Sequence, residues 1–203
     1  MLCNNSNNTE NVDNNVSPTN NLSFDIHNKY HSILMSQDVD LFKNTIFDVD
    51  IAMNYIKEIV KKSLIRSFYF LYKHDPTIIN MTFDNGMNLM HLITPTAEYK
   101  KMIYLFVHLN QSLLDKPDNN DLTPPMYHAI HNPILLSTFL NYPIDITRRD
   151  KNNNTLIHSI IQQPYIHILR HIIDKYPDEL KINNTTLKSN NPINLSILQN
   201  MIS

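Results

Sequence analysis

The stretch Asp84-Asn85-Gly86-Met87-Asn88-Leu89-Met90-His91-Leu92-Ile93 returns further along the chain as Asp150-Lys151-Asn152-Asn153-Asn154-Thr155-Leu156-Ile157-His158-Ser159-Ile160. In both, a polar turn runs into the apolar start of a helix, with a histidine at the matching place. Weaker copies follow from the same register, one at Pro124-Pro125-Met126-Tyr127-His128-Ala129-Ile130 and one at Asn191-Pro192-Ile193-Asn194-Leu195. Self-similarity at a fixed period marks a chain of supersecondary units. None of these can bury its apolar face alone, and stacking builds the core.

Outward from these copies, the pattern stays helical. Met102, Ile103, Leu105, Phe106 and Leu109 form the buried stripe of a helix over 98–109. Pro133 and Pro164 open the corresponding helices of later copies, at the position where a missing N–H costs nothing. Upstream, Ile51, Tyr55, Ile56, Ile59 and Val60 predict one helix, and the aromatic run Leu64 to Tyr72 predicts another that is covered on most sides. Residues 23–79 therefore read as an N-terminal helical cap or a degenerate first repeat, and 80–203 as the repeats proper. Residues 1–22 hold Asn, Ser, Thr, Asp and Pro with almost nothing apolar, and are expected to be a disordered arm.

Composition narrows the chemistry. The net charge of -2 offers no whole-chain field for nucleic acid or an anionic membrane. No apolar run approaches the roughly 18 residues that span a bilayer, and the first residues lack the pattern of a signal peptide, so an intracellular, cytoplasmic protein is expected. The single cysteine, Cys3, excludes an internal disulfide and a cysteine-rich metal site. The single glycine, Gly86, argues against glycine-rich phosphate loops and the elbow of serine hydrolases. Asparagine is abundant and tolerates the left-handed backbone region, so it can make turns that glycine makes elsewhere. The richness in Asn, Ile and Lys also fits an AT-rich genome.

These copies resemble a divergent ankyrin-repeat array, whose pattern runs Asp, two variable residues, Gly, one variable residue, then Thr-Pro-Leu-His-x-Ala. In the copy around His158, Asp150, Thr155, Ile157 and His158 match, with Asn153 at the glycine position. In the copy around His91, Gly86, Met90 and His91 match, with Phe83 at the Asp position. In the middle copy Pro125, Met126 and Ala129 match, Tyr127 stands for the histidine, and Leu122 falls at the glycine position. In the last copy Asn194 stands for the histidine. The steps from His91 to Tyr127, His158 and Asn194 are 36, 31 and 36 residues, close on average to the ~33-residue period of the family. The resemblance implies an all-α solenoid of about four ankyrin-like repeats. It also implies that Gly86, His91, Tyr127, Thr155, His158 and Asn194 are structural.

Ten histidines invite a metal reading. The pairs His27/His31, His128/His131 and His167/His171 have helical spacing, but no third ligand accompanies them. No metal, no cofactor and no catalytic residue is expected, and the chain reads as a non-enzyme. The resemblance implies a protein–protein interaction module that holds a partner on its concave face. It implies finger-tip contacts from Asp84, Asn85, Asp118, Asn119, Arg148, Arg149, Lys151 and Asn152, with the run Arg148-Arg149-Asp150-Lys151 as the basic tip. Small ankyrin proteins of large DNA viruses intercept host signalling. The resemblance therefore extends to a monomeric, intracellular modulator shaped like the natural inhibitors of NF-κB, with no nucleic acid or membrane as partner. The alternative is an assembly protein that oligomerises through the aromatic helix near Phe68 and Phe70.

Overall fold

The structure, a computed structural model, describes residues 28–44, 54–177 and 196. The expected arm at 1–22 and the copy around Asn194 lie outside the described residues, as does the start of the helix expected from Ile51. Among the described residues the fold is helical, and the strand pairing seen is an isolated antiparallel bridge between Thr82 and Asn88. No helix among them is long and apolar enough to cross a membrane.

Residues 28–36 form α1. There follow α2 (Val39–Asn44), α3 (Ile56–Lys61), α4 (Ile65–His74), α5 (Tyr99–Leu109), α6 (Pro124–His131), α7 (Pro133–Phe139), α8 (Leu156–Ile160) and α9 (Ile166–Lys175). Short 3-10 turns lie at Pro76–Asn80, Asp84–Gly86, Leu89–Leu92 and Gln111–Leu114. Pro133 opens α7 as expected and Pro124 opens α6, whereas α9 starts at Ile166 after its cap residue Tyr165, so Pro164 stands before that helix and does not open it. The helices fall into two rows. In the first row α3 touches the turn Leu89–Leu92, that turn touches α6, and α6 touches α8. In the second, Phe68 of α4 meets Phe106 of α5 edge-on at 4.7 Å, and α5 packs on α7. The core includes Leu89, Met90, Met126, Leu136, Phe139, Ile160 and Leu169, all buried.

Phe68 is fully buried in this core. Phe70 is half-covered and stacks on Phe42 at 4.9 Å. The aromatic pair expected to carry assembly thus packs inward, because α4 lies between α5 on one side and α2 on the other.

Links between distant parts of the chain keep a narrow span. Among the described residues, these side-chain hydrogen bonds run from 25 residues apart, Asn88 Nδ2 to the Leu113 carbonyl, to 38, His128 Nε2 to the Met90 carbonyl. Thr94 to the Lys61 carbonyl, Thr96 to Ser63, and Arg148 to the Asp115 carbonyl each cross 33.

The polar turns repeat one backbone hydrogen bond and one left-handed position. The N–H of Phe83, Asp118 and Asp150 donates to the carbonyl of Met87, Leu122 and Asn154 at 2.8–2.9 Å. Gly86, Asp121 and Asn153 hold the left-handed position in these turns, with φ of 72°, 61° and 65°. Helices or 3-10 turns then begin after Asn88, Thr123 and Thr155. This corrects the middle copy by one residue. Asp121, not Leu122, stands at the glycine position, and Met126, not Tyr127, stands third in the helix where His91 and His158 stand. The cause is local: Thr123 precedes Pro124 and Pro125, and the turn closes from Asp118 to Leu122.

A second recurrence went unread in the sequence. Asp75, Asn110 and Asp145 each accept the N–H and the hydroxyl of the residue two further on, Thr77, Ser112 and Thr147. These side-chain turns follow α4, α5 and α7 and satisfy backbone donors at the chain reversal.

Candidate functional site

The turns join into one edge. Asn119 N–H donates to the Asn85 carbonyl at 2.7 Å, and Lys151 N–H donates to the Asn120 carbonyl at 3.1 Å. The expected tip residues lie along this edge but do not share one role. Asp84 is exposed and pairs with Lys57 at 2.7 Å, a hydrogen bond that holds its carboxyl below the usual range. Asn85 is exposed, at φ 60°. Asp118 is not a tip contact. It is buried, and its Oδ1 accepts the N–H of Asn120 and of Leu122 at 2.7 and 3.0 Å. Asp150 makes the same clamp on Asn152 and Asn154, at 2.9 and 2.8 Å. A carboxylate at this place serves the turn, its Oδ1 taken by two backbone N–H groups in each copy.

Arg148, Arg149, Lys151 and Asn152 are exposed and adjacent. Arg148 donates to the Asp115 carbonyl and Arg149 to the Asn153 carbonyl, each at 2.8 Å. Each guanidinium has five N–H donors, so these contacts orient the groups without exhausting them.

The histidines explain the original repeat. His91 Nδ1 accepts the N–H of Asn88 at 3.1 Å, and its Nε2 donates to the Leu122 carbonyl at 3.0 Å. His158 Nδ1 accepts the Thr155 N–H at 3.1 Å and faces the Thr155 hydroxyl at 2.8 Å. In each, the third helical residue caps the residue that starts the turn, the reciprocal arrangement usually made by Glu or Gln. Burial lowers the pKa of both rings; near His158 the charge of Arg149 lowers it further while Asp150 opposes. Tyr127 instead packs its ring on His91 at 5.6 Å and His131 at 4.4 Å.

Beside the basic tip lies a cleft of about 470 Å³. Ile130 of α6 and Ser159 and His158 of α8 form part of its wall, with Asp150, Asn152, Asn154, Gln162 and Gln163 around them. Asp150, His158 and Ser159 share this cleft, yet they are not arranged as a nucleophile, base and orienter. His158 Nδ1 is taken by Thr155, and Asp150 Oδ1 by two backbone N–H groups. The cleft offers amide donors and acceptors around one exposed aliphatic side chain, Ile130. Among the described residues no three His, Cys, Asp or Glu side chains converge as a metal ion would need.

Comparison with known proteins adds no relative. No family model matches the chain, and neither a curated protein nor a solved structure matches it.

The sequence reading missed Asn88, His128 and Ile130. Asn88 is fully buried and braces the next unit through the Leu113 and Lys116 carbonyls, at 3.1 Å each. His128 is fully buried, and it stacks on Phe139 at 5.3 Å. The N-cap position of Asn88, matching Thr155, was a readable signal; the burial of His128 was not.

Proposed function

We propose that this chain is a non-catalytic interaction module, an ankyrin-like array that binds a partner protein along its first row of helices and the edge of its turns. The observation that carries this reading is the cleft between α6 and α8, open beside Arg148, Arg149 and Lys151. An exposed Ile130 supplies an apolar anchor, the amides supply hydrogen bonds, and the basic tip steers an acidic segment. Links of 25–38 residues, with turns that repeat one backbone hydrogen bond, support a linear array in which each unit touches its neighbours. The helical pair α3–α4 belongs to that array as a degenerate unit, since Asp75 and Thr77 repeat the turn made by Asn110 and Ser112. With Phe68 inside the core, the module acts as a monomer. An intracellular modulator of signalling, of the kind the natural NF-κB inhibitors exemplify, is the setting such an array suits.

The test is affinity capture from cell extract with three baits, each with the fold checked by circular dichroism. The native chain should retain a partner that Arg148→Glu/Arg149→Glu and Ile130→Asp both lose. A partner held equally by all three baits would remove the cleft and tip from the binding surface.

A further inference from the structure

The near-neutral charge of the whole chain conceals a segregation. The second-row helices α4, α5 and α7, together with α9, whose Lys175 reaches the Leu140 and Tyr142 carbonyls beyond α7, carry Arg66, Lys73, Lys100, Lys101, Arg170 and Lys175, against the single carboxylate Asp174. All of these cations are exposed. Lys101 is paired with Glu98 at 2.6 Å, and Lys175 is held by the Leu140 and Tyr142 carbonyls. Arg66, Lys73, Lys100 and Arg170 have no acidic partner among the described residues. Lys73 and Lys100 instead lie over the rings of Tyr69 and Tyr99, at 5.2 and 6.0 Å.

Large apolar side chains stand out from the same helices. Tyr69 is 43% exposed, Tyr104 64% and Ile134 55%. They share one register, each six residues before the residue that ends its helix, namely Asp75, Asn110 and Leu140. Arg170 takes that place in α9, which ends at Tyr176. One position per helix, equally placed before the cap, thus carries Tyr, Tyr, Ile and Arg, and all four are exposed. The cleft residues Ile130 and His158 belong to the first row of helices and take no part.

We propose that this second-row face is a peripheral docking surface for an anionic lipid bilayer. Lysine and arginine stems lie along apolar surface while their heads stay at the headgroup level, and tyrosine is favoured at that same interface. Ile134 reaches the acyl boundary, where an aliphatic side chain gains from leaving water. A single-stranded nucleic acid would use the tyrosine rings but has no use for Ile134. A second copy of the chain would bring like charges face to face.

Co-sedimentation of the full chain with vesicles tests this. Vesicles of phosphatidylcholine with 30% phosphatidylserine should pull the protein down, and phosphatidylcholine alone should not. Reversing Lys73, Lys100 and Arg170 to Glu should weaken the partition at least tenfold. Tyr104→Ser/Ile134→Ser, which leaves the charge unchanged, should also weaken it severalfold, whereas Arg148→Glu/Arg149→Glu should reduce it far less than the triple reversal. Protein left in the supernatant with the anionic vesicles overturns the proposal. So does binding to polyglutamate or to single-stranded DNA with the vesicles ignored, or a loss that follows net charge wherever the substitution is made.

Discussion

At the scale of single residues, the histidines carry the most consequence. His128 has no exposed surface and gives its Nε2 proton to the Met90 carbonyl at 2.9 Å. Burial pushes its pKa down to about 4. Unfolded, the ring takes a proton below about pH 6.5; folded, it does so only near pH 4. Between these values the unfolded state holds more protons, so acidification favours unfolding. The stability that His128 contributes is complete above about pH 6.5 and declines as pH falls toward 4, by about 3 kcal/mol in all. Burial lowers the pKa of His91 in the same direction. Thermal melts from pH 7 to pH 4.5 should show a falling midpoint, and His128→Gln should flatten part of that slope; an unchanged slope would place the titration elsewhere. Gly86 is the second pivotal residue. Its φ is +72°, and a Cβ there would come within 2.3 Å of Asn119 Oδ1. Gly86→Ala should lower stability by about 1–2 kcal/mol, the cost of a left-handed alanine. Adding Asn119→Ala should return only the steric part, because the backbone term remains. Chemical denaturation of these two variants, with Asn119→Ala alone as the reference, separates the two.

At the scale of elements, the turn is the unit that repeats, and its anchor differs between copies. Asp118 and Asp150 each close a turn by accepting two backbone N–H groups, whereas Phe83 cannot. The turn without the carboxylate is the one that holds Gly86, so backbone freedom replaces the side-chain clamp there. Asp118→Ala should therefore cost about 1–3 kcal/mol by orphaning the N–H groups of Asn120 and Leu122, the more so because Asp118 is buried. Phe83→Ala should leave the backbone hydrogen bonds of its own turn intact and lose only the packing of its ring on the core and beneath Lys57, a smaller cost than Asp118→Ala. Denaturant midpoints for the pair decide this, and equal losses would count against the clamp. The same turns explain what could be read beforehand. The copies around His91 and His158 were readable because the cap and its histidine lie within four residues of one another. The middle register was not, since Pro124-Pro125 offers two alignments and only the bond from Asp118 to Leu122 selects one. The Asp75, Asn110 and Asp145 turns were present as Asp/Asn-x-Thr/Ser and were passed over among many polar residues. The cleft and the charge segregation depend on which side of a helix faces out, which short helices such as α7 and α8 state only weakly.

At the scale of the molecule, the links have a direction that bears on how the fold fails. Asn88 and His91 reach forward to the carbonyls of Leu113, Lys116 and Leu122, and His128 reaches back to Met90. The His91 and His128 bonds cross the turn at Asp118–Leu122, and Asn88 ties the segment that leads into it, so the boundary between the turn at Leu89–Leu92 and α6 is held by a few buried polar groups and the apolar contacts around them. In the proposed linear array, stability is a sum of unit and nearest-neighbour terms, and weakening one boundary lets the sides part before either melts. Asn88→Ala/His91→Ala removes the forward bonds of that boundary and leaves the boundary between α6 and α8 untouched. Hydrogen exchange read by mass spectrometry should then show protection falling most in the segments from Leu89 to Met126. The apolar packing of α8 against α9, through Ile160, Leu169 and Ile172, stays intact, so amides in α9 should keep most of their protection. A uniform loss from α3 to α9 would mean one cooperative core spans every unit, and the neighbour-only linkage would then describe the geometry of the chain but not its energetics.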